Sequence, residues 1–312
     1  MTPLRDVYLD LTQDQVRKYR DDGFLIVEDY IPPDRVEVLR ERLELLFDDR
    51  YASVLLPDEH IWKKGRDDPA LTRQIGNIWK CDPEVAEEAM SEQVGRHVAQ
   101  LQGVDSVRLL QDMALVKPSN GKALAIHQDG PYDCFLDPVE FTTVWSTLDD
   151  TVEEAGTLAY VRGSHKWGKF PAVSFHNPDN WYAEFQEIVP QGAEIEFVPI
   201  VVKAGAVVFH SPWIWHSSAP SSRDDVVRRT YIRVLVPSDI RHHPTIRHRF
   251  YSRYFGSGEY EFDERFFPVL WSADGYRSPW IEPYLRSMRE DPPVDAFSPE
   301  AMERARLLER MW

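Results

Sequence analysis

The chain has 312 residues, 43% hydrophobic and 28% charged, which is apolar enough to bury a substantial core and excludes a disordered polymer. Its formal net charge of -16 at pH 7 opposes binding to nucleic acid and to anionic membranes. Cys81 and Cys134 lack metal-type spacing, which argues against a disulfide framework and a zinc ribbon. No apolar run approaches the roughly 20 residues of a membrane span and no leader is visible, so a single cytoplasmic domain over residues 1–312 is expected, with its oligomeric state open.

Thr12 followed by Gln15 has capping-box spacing, Gly23 supplies a stop, and Phe24 to Val27 reads as a strand. Pro32 and Pro33 open a second helix in which Val36, Leu39, Leu43 and Leu46 recur at helical spacing. Tyr51 to Asp82 carries mixed signals and reads as loops and short helices, and one further helix is expected from Glu84 to about Gln102, ending at Gly103.

From Val107 the character changes to short β-prone runs: Val107 to Lys117, Phe141 to Leu148, Thr157 to Val161, Ile195 to Val202, Val207 to Phe209, and Arg228 to Val236. Turn residues separate them, which implies an antiparallel sandwich or barrel. The fold class is therefore mainly β with helical cover: a cupin-like jelly roll over 106–236 behind N-terminal helices in 1–105. Between 162 and 191, His165, Trp167, His176 and Trp181 sit without periodicity, and this stretch reads as a lid or substrate-contacting insertion, against the plainer reading of an ordered surface loop. The extension 237–312 carries a basic run, Arg241 to Arg249, then an aromatic-rich segment.

In an extended segment residues i and i+2 point the same way, so His127 and Asp129 can offer an imidazole and a carboxylate to one ion while Gln128 points away. A third ligand from a distant strand would complete one face of an octahedron and leave three positions open, the arrangement of non-haem Fe(II) oxygenases rather than of structural zinc. The spacing alone is weak, since an acidic chain with ten histidines produces about one such match by chance. The plain alternative is a strand-end histidine bonded to a neighbouring carboxylate. Downstream, His216 follows a glycine-led apolar run. It is preferred to His210, which falls within that run and reads as a satisfied core histidine.

Alternation along the last strand puts Arg228, Thr230, Ile232 and Val234 on one face and Arg229, Tyr231, Arg233 and Leu235 on the other. Arg228 then points inward. A buried guanidinium needs an anion, either an internal carboxylate or a dicarboxylate ligand.

Together His127-Gln128-Asp129, Trp145, Gly156-Thr157-Leu158 leading to Gly163-Ser164-His165, Gly205 before His216-Ser217-Ser218, and Arg228 resemble the phytanoyl-CoA dioxygenase family. The resemblance runs over about residues 13 to 275 and includes Phe262 to Pro268. It implies a double-stranded β-helix and an enzyme dependent on Fe(II), 2-oxoglutarate and O2. His127, Asp129 and His216 would be the iron ligands and Arg228 would hold the distal carboxylate of 2-oxoglutarate, with Arg229 as a fallback because the spacing from His216 is slightly long. Trp145 and Ser218 match positions lining the cosubstrate, and Gln111 and Lys117, of one parity along their strand, match its polar residues. Plainer readings are a core aromatic for Trp145 and a snorkelling side chain for Lys117. Arg162 departs from the family's proline before Gly-Ser-His, and Pro220-Ser221 from its asparagine-containing turn. Retention of Asp129 disfavours halogenation.

The resemblance implies hydroxylation of an unactivated C–H in a small-molecule metabolite, with natural-product biosynthesis as the setting and ring closure, desaturation and epimerisation open to the same chemistry. Trp167, Trp181, Trp213 and Trp215 offer stacking surfaces, or simple packing. An acyl-CoA would require a phosphate patch, for which Arg241 to Arg249 is the candidate. The alternatives are a non-catalytic jelly-roll binding module and an O2-independent cupin-type metal hydrolase or isomerase.

Overall fold

The computed structural model describes residues 9–53, 55–173, 183–248, 250–254 and 260–290. Helix α1 (Gln13–Asp22) begins at the expected capping box: Thr12 Oγ1 accepts from Gln15 N at 3.2 Å, and Gln15 Oε1 accepts from Thr12 N at 2.8 Å. Such a cap is worth about 1 kcal/mol. Gly23, at φ 87°, turns the chain into β1 (Phe24–Val27). In α2 (Pro33–Phe47) the buried stripe is Val36, Leu39, Leu43 and Leu46, each adding roughly 1.5–3 kcal/mol of burial.

Two expectations fail in the next stretch. The segment 51–82 is not only loops and helices, because β2 (Glu59–His60) and β3 (Arg73–Gly76) extend a sheet there. They are too short to announce themselves and are held by pairing to a long neighbour. The single helix from 84 to 102 is two, α3 (Pro83–Ala89) and α4 (Glu92–Gln102). Met90 ends the first, and extended Ser91 accepts from Val94 N to cap the second.

The β region follows as β4 (Ser106–Lys117), β5 (Leu124–His127), β6 (Leu136–Asp137), β7 (Thr142–Thr147) and β8 (Leu158–Val161). After α5 (Ala183–Ile188) come β9 (Phe197–Pro199), β10 (Val207–His210), β11 (His216–Ser218), β12 (Arg228–Pro237), β13 (Arg241–His242), β14 (Val269–Ser272) and α6 (Ile281–Glu290). Only three residues of the expected strand 195–202 pair, along one edge of a sheet where Pro199 lacks an N–H.

All strand pairs are antiparallel, and the larger sheet runs β1-β10-β7-β12-β4-β3-β2, with β14 also on β4. The smaller sheet runs β5-β11-β8-β9 and faces it. Period-two alternation sorts the larger sheet. Val144, Val207, Phe209, Tyr231 and Leu235 join the core formed with α1 to α4 and α6, whereas Trp145, Val208 and Ile232 pack between the sheets. A bulge between Val234 and Leu235 of β12 leaves Leu110 extra on β4 and flips parity there, so Leu109 faces the helices while Gln111, Met113 and Leu115 face a cavity between the sheets.

No helix among the described residues is long and apolar enough to cross a membrane. Both cysteines are free, Cys81 buried and Cys134 exposed.

Candidate active site

Between the sheets lies a cavity of about 350 Å³ with His127, Asp129 and His216 on its wall. Strands β5 and β11 pair with His127 directly opposite His216, which brings the two rings to 4.2 Å between centroids. Asp129 departs from the expected extended geometry. Its backbone is helical (φ -75°, ψ -37°) at the start of a 3-10 turn over Gly130–Asp133, and that turn swings the carboxylate toward both imidazoles. Gln128 does point away, donating to the carbonyls of Gly168 and Trp213 and accepting from Phe170 N.

Each imidazole is fixed by the chain. His127 Nδ1 lies 2.7 Å from the Ala125 carbonyl and His216 Nδ1 3.0 Å from that of Ile214, so both Nδ1 atoms carry the proton and both Nε2 lone pairs face the cavity. Asp129 Oδ1 sits 3.5 Å from Nε2 of His127 and 3.4 Å from Nε2 of His216. One ligand atom from each of the three residues lies within 4.8 Å of the others. Ligands on one octahedral face stand about 3 Å apart, so this donor set suits a divalent ion that keeps open positions.

The second carboxylate oxygen is held separately. Asp129 Oδ2 accepts from Thr143 Oγ1 at 2.8 Å and from His210 Nε2 at 2.9 Å. Because a carboxylate only accepts, His210 Nε2 carries its proton, and Nδ1 accepts from the Tyr160 hydroxyl at 2.7 Å. Burial pushes His210 down to about 4, so the ring is neutral. Burial alone would raise the Asp129 carboxyl, but the surrounding imidazoles, His216 first and then His127 and His210, outweigh it and hold it well below the usual carboxylate range. Expected as a satisfied core histidine, His210 is satisfied, but by the site itself. Its signal lay in the alternation of β10, where Val208 and His210 face inward and Phe209 outward.

At one end of the cavity is a cationic cradle. Arg228 is buried, donates to the Gly156 carbonyl at 2.7 Å and to Ser218 Oγ at 3.2 Å, and leaves Nε without a partner. It forms no ion pair with Asp or Glu among the described residues, and burial lowers it to about 10. Lys117 does not snorkel out. It is buried, donates to Ser218 Oγ at 2.8 Å and to the Ala219 carbonyl, and is pushed by burial and by the neighbouring Arg228 down to about 6. Gly156, at φ 62°, makes the close approach possible, since a Cβ there would collide with the Ala219 carbonyl and stand 2.8 Å from Lys117 Nζ.

Arg229 is on the opposite face, bonded to Glu44 at 2.6 Å and Asp149 at 3.0 Å, so it is no fallback for the cradle. Trp145 and Ser218 line the cavity. Gln111 does also, but it stands six residues from Lys117 along β4, roughly 20 Å, and its Oε1 accepts from Tyr251. The structure therefore does not bring Gln111 to the cradle.

The tryptophans are mostly packing. Trp215 is buried against Phe185 and Phe170, Trp167 packs on Phe185, and Trp213 lies under Lys169 and against Gly130. None of the described residues of 162–191 lines the cavity, and His165 Nε2 meets the Arg20 carbonyl instead. His176 and Trp181 lie outside the described residues, as does Arg249. Sequence reasoning missed other wall residues: Glu59 of β2, Ile61 just after it, Gln74 of β3, and His248, Phe250 and Tyr251 from the extension.

The family model for phytanoyl-CoA dioxygenase matches residues 19–230, which spans the smaller sheet, most strands of the larger one, the His127, Asp129 and His216 cluster and Arg228. The chain belongs to the phytanoyl-CoA dioxygenase family. It is a non-haem iron oxygenase that uses 2-oxoglutarate and O2. Over 283 residues it is 24% identical to phytanoyl-CoA dioxygenase domain-containing protein 1 of Danio rerio, covering 73% of this chain and 91% of that protein. Phytanoyl-CoA dioxygenase of Arabidopsis thaliana is 25% identical over 261 residues, covering 73% and 90%. Among solved structures, the alpha-ketoglutarate-dependent carbocyclase SnoK from nogalamycin biosynthesis matches with a TM-score of 0.63 at 21% identity, covering 83% of this chain and 96% of that one. EctD from S. alaskensis, solved with bound Fe, matches at 0.62 and 18%, covering 81% and 87%. At these identities the structural likeness carries the jelly-roll fold. Within the family pattern, Arg162 is a surface departure: it bridges Asp22 and Glu196 rather than facing the cavity.

Proposed function

We propose that His127, Asp129 and His216 hold ferrous iron, that Arg228 receives the far carboxylate of 2-oxoglutarate with Ser218 and Lys117 beside it, and that the enzyme hydroxylates or otherwise oxidatively tailors an unactivated C–H of a small metabolite. Trp145 forms a wall of the cosubstrate site in this reading. The observation that carries it is a buried guanidinium with no carboxylate partner among the described residues, on the same cavity as two imidazoles and an acid. Bound there, iron and 2-oxoglutarate would draw on O2 for the oxidant that removes hydrogen from a substrate carbon, one oxygen atom passing into succinate as CO2 is lost.

The chain's own work is placement. The Ala125 and Ile214 carbonyls hold the imidazole tautomers, Thr143 and His210 hold the carboxylate, and the apolar walls Leu158, Ile232 and Val234 exclude water from the reacting centre. A natural-product tailoring role agrees with neighbours such as the epimerase SnoN, solved with Fe3+, alpha ketoglutarate and nogalamycin RO, and HygX from Streptomyces hygroscopicus, solved with nickel, 2-oxoglutarate and hygromycin B. A cytoplasmic location is part of the same reading.

Anaerobic addition of Fe(II) and 2-oxoglutarate tests the assignment through the weak visible charge-transfer band of the chelate. Wild type should show the band, His127→Ala should lose it, and Arg228→Ala should require far more 2-oxoglutarate. A wild-type band in both variants would refute the roles assigned.

A further inference from the structure

Buried carboxylates elsewhere in the fold have partners. Asp112 accepts from the Tyr231 hydroxyl at 2.8 Å, and Asp82 accepts from Arg42 at 2.6 Å and from Glu84 N at 2.9 Å. Asp133 is different. It is only 6% exposed, lines the cavity, and its carboxyl makes no hydrogen bond or ion pair among the described residues. Burial, with the Asp129 charge added, pushes it up to about 8, the behaviour of an acid lacking the group that would stabilise its anion.

Its position is built rather than accidental. Asp133 ends the 3-10 turn that begins after Asp129, and Gly130 N anchors that turn to the Pro212 carbonyl at 2.9 Å. Four residues at about 2.0 Å each place it roughly 8 Å further along than Asp129. Around it the wall is aromatic, with Tyr132, Phe141, Phe250 and Tyr251. No lysine or arginine other than Arg228 is among the described lining residues, and the His248 imidazole is turned to the backbone, its Nδ1 accepting from Phe250 N and Tyr251 N. A desolvated carboxyl beside ring faces is the chemistry that recognises an ammonium group.

We propose that Asp133 anchors a cationic nitrogen of the substrate, so that the enzyme acts on a small amine-bearing metabolite and not on an acyl-CoA or other anionic compound. This rests on the proposed iron and 2-oxoglutarate site, which leaves the Asp133 half of the cavity to the substrate. At about 350 Å³ the cavity is at the low end of the roughly 300–1,000 Å³ of ligand pockets, which suits a compact molecule.

The test is anaerobic calorimetry on the full chain loaded with Fe(II) and 2-oxoglutarate, titrated separately with benzylamine, benzyl alcohol and phenylacetate at millimolar concentrations. Benzylamine should bind at least about tenfold more tightly than benzyl alcohol, with phenylacetate weakest. In Asp133→Asn that preference should vanish while benzyl alcohol binds as in wild type, which shows that the cavity remains intact. Three outcomes overturn the proposal: alcohol or carboxylate binding as tightly as the amine, an amine preference that survives in D133N, or no binding of any probe. The visible band is recorded in parallel. A normal band without amine preference removes this inference alone, whereas a missing wild-type band removes the metal and cosubstrate reading.

Discussion

Replacing Arg228 with methionine separates a binding guanidinium from a structural one. In the ligand-free fold burial lowers the guanidinium from its ordinary value to about 10, so at neutral pH it is charged in both folded and unfolded chains and its burial costs the fold about 3 kcal/mol. Its hydrogen bonds to the Gly156 carbonyl and Ser218 Oγ return about 1 kcal/mol each. Methionine keeps much of the stem volume, so ligand-free R228M should melt at or slightly above wild type. The carboxylate of 2-oxoglutarate relieves the same penalty, so its loss should weaken 2-oxoglutarate by about 3 kcal/mol, roughly two orders of magnitude in Kd. Calorimetry gives Kd, and thermal melts with and without 2-oxoglutarate give the stability. An R228M that binds 2-oxoglutarate like wild type, or one that melts far lower without ligand, would show that the arginine is a fold element and sink the argument.

His210→Ala removes one of the two donors that fix Asp129 Oδ2 and should weaken Fe(II) about 10- to 100-fold with little change in fold, measured by competition with a metal chelator. An unchanged metal affinity would mean Thr143 suffices. Lys117, lowered to about 6, is largely neutral in the ligand-free site at pH 8, and an arriving anion should raise it. Binding of 2-oxoglutarate should therefore take up close to one proton between pH 6 and the higher bound value, and affinity should fall as pH rises through that window. In the ligand-free protein the sign is opposite: the unfolded chain holds the Lys117 proton up to about 10.5, so this group's contribution to stability rises with pH above 6. Calorimetry in buffers of different ionisation enthalpy measures the proton, and Lys117→Met should abolish it.

What the sequence made legible was local. The Thr12–Gln15 box and the Val36, Leu39, Leu43, Leu46 stripe depend on neighbours within a few residues, and both helices start where expected. Alternation in β12 separated Arg228 from Arg229 correctly, because a sheet covered on both faces still obeys period two. The failures came from partners distant in sequence. β3 exists because β4 is there to pair with it, Gln111 reaches the cavity next to a bulge, and Phe250 and Tyr251 arrive from the C-terminal extension. Tryptophan type could not separate stacking from packing, and only the fold shows Trp213 against Gly130.

The cavity is electrically ordered in a way that folding alone does not favour. Arg228 on the wall and Lys117 beside it crowd two basic groups together, while Asp133 leaves an acid unpaired among the described residues elsewhere on the wall, with the His127, Asp129 and His216 cluster on the same cavity. Apolar replacements at either place would relieve desolvation in the ligand-free chain. Each misfit is removed by a ligand of opposite charge, an anion on the arginine and a cation on the aspartate, and ligands that bind only the folded form raise its stability by RT ln(1 + [L]/Kd). A chain with a net charge of -16 repels a dicarboxylate at long range, so the attraction must be local. Burying Arg228 where water cannot screen it concentrates that attraction at the place proposed for the far carboxylate of 2-oxoglutarate.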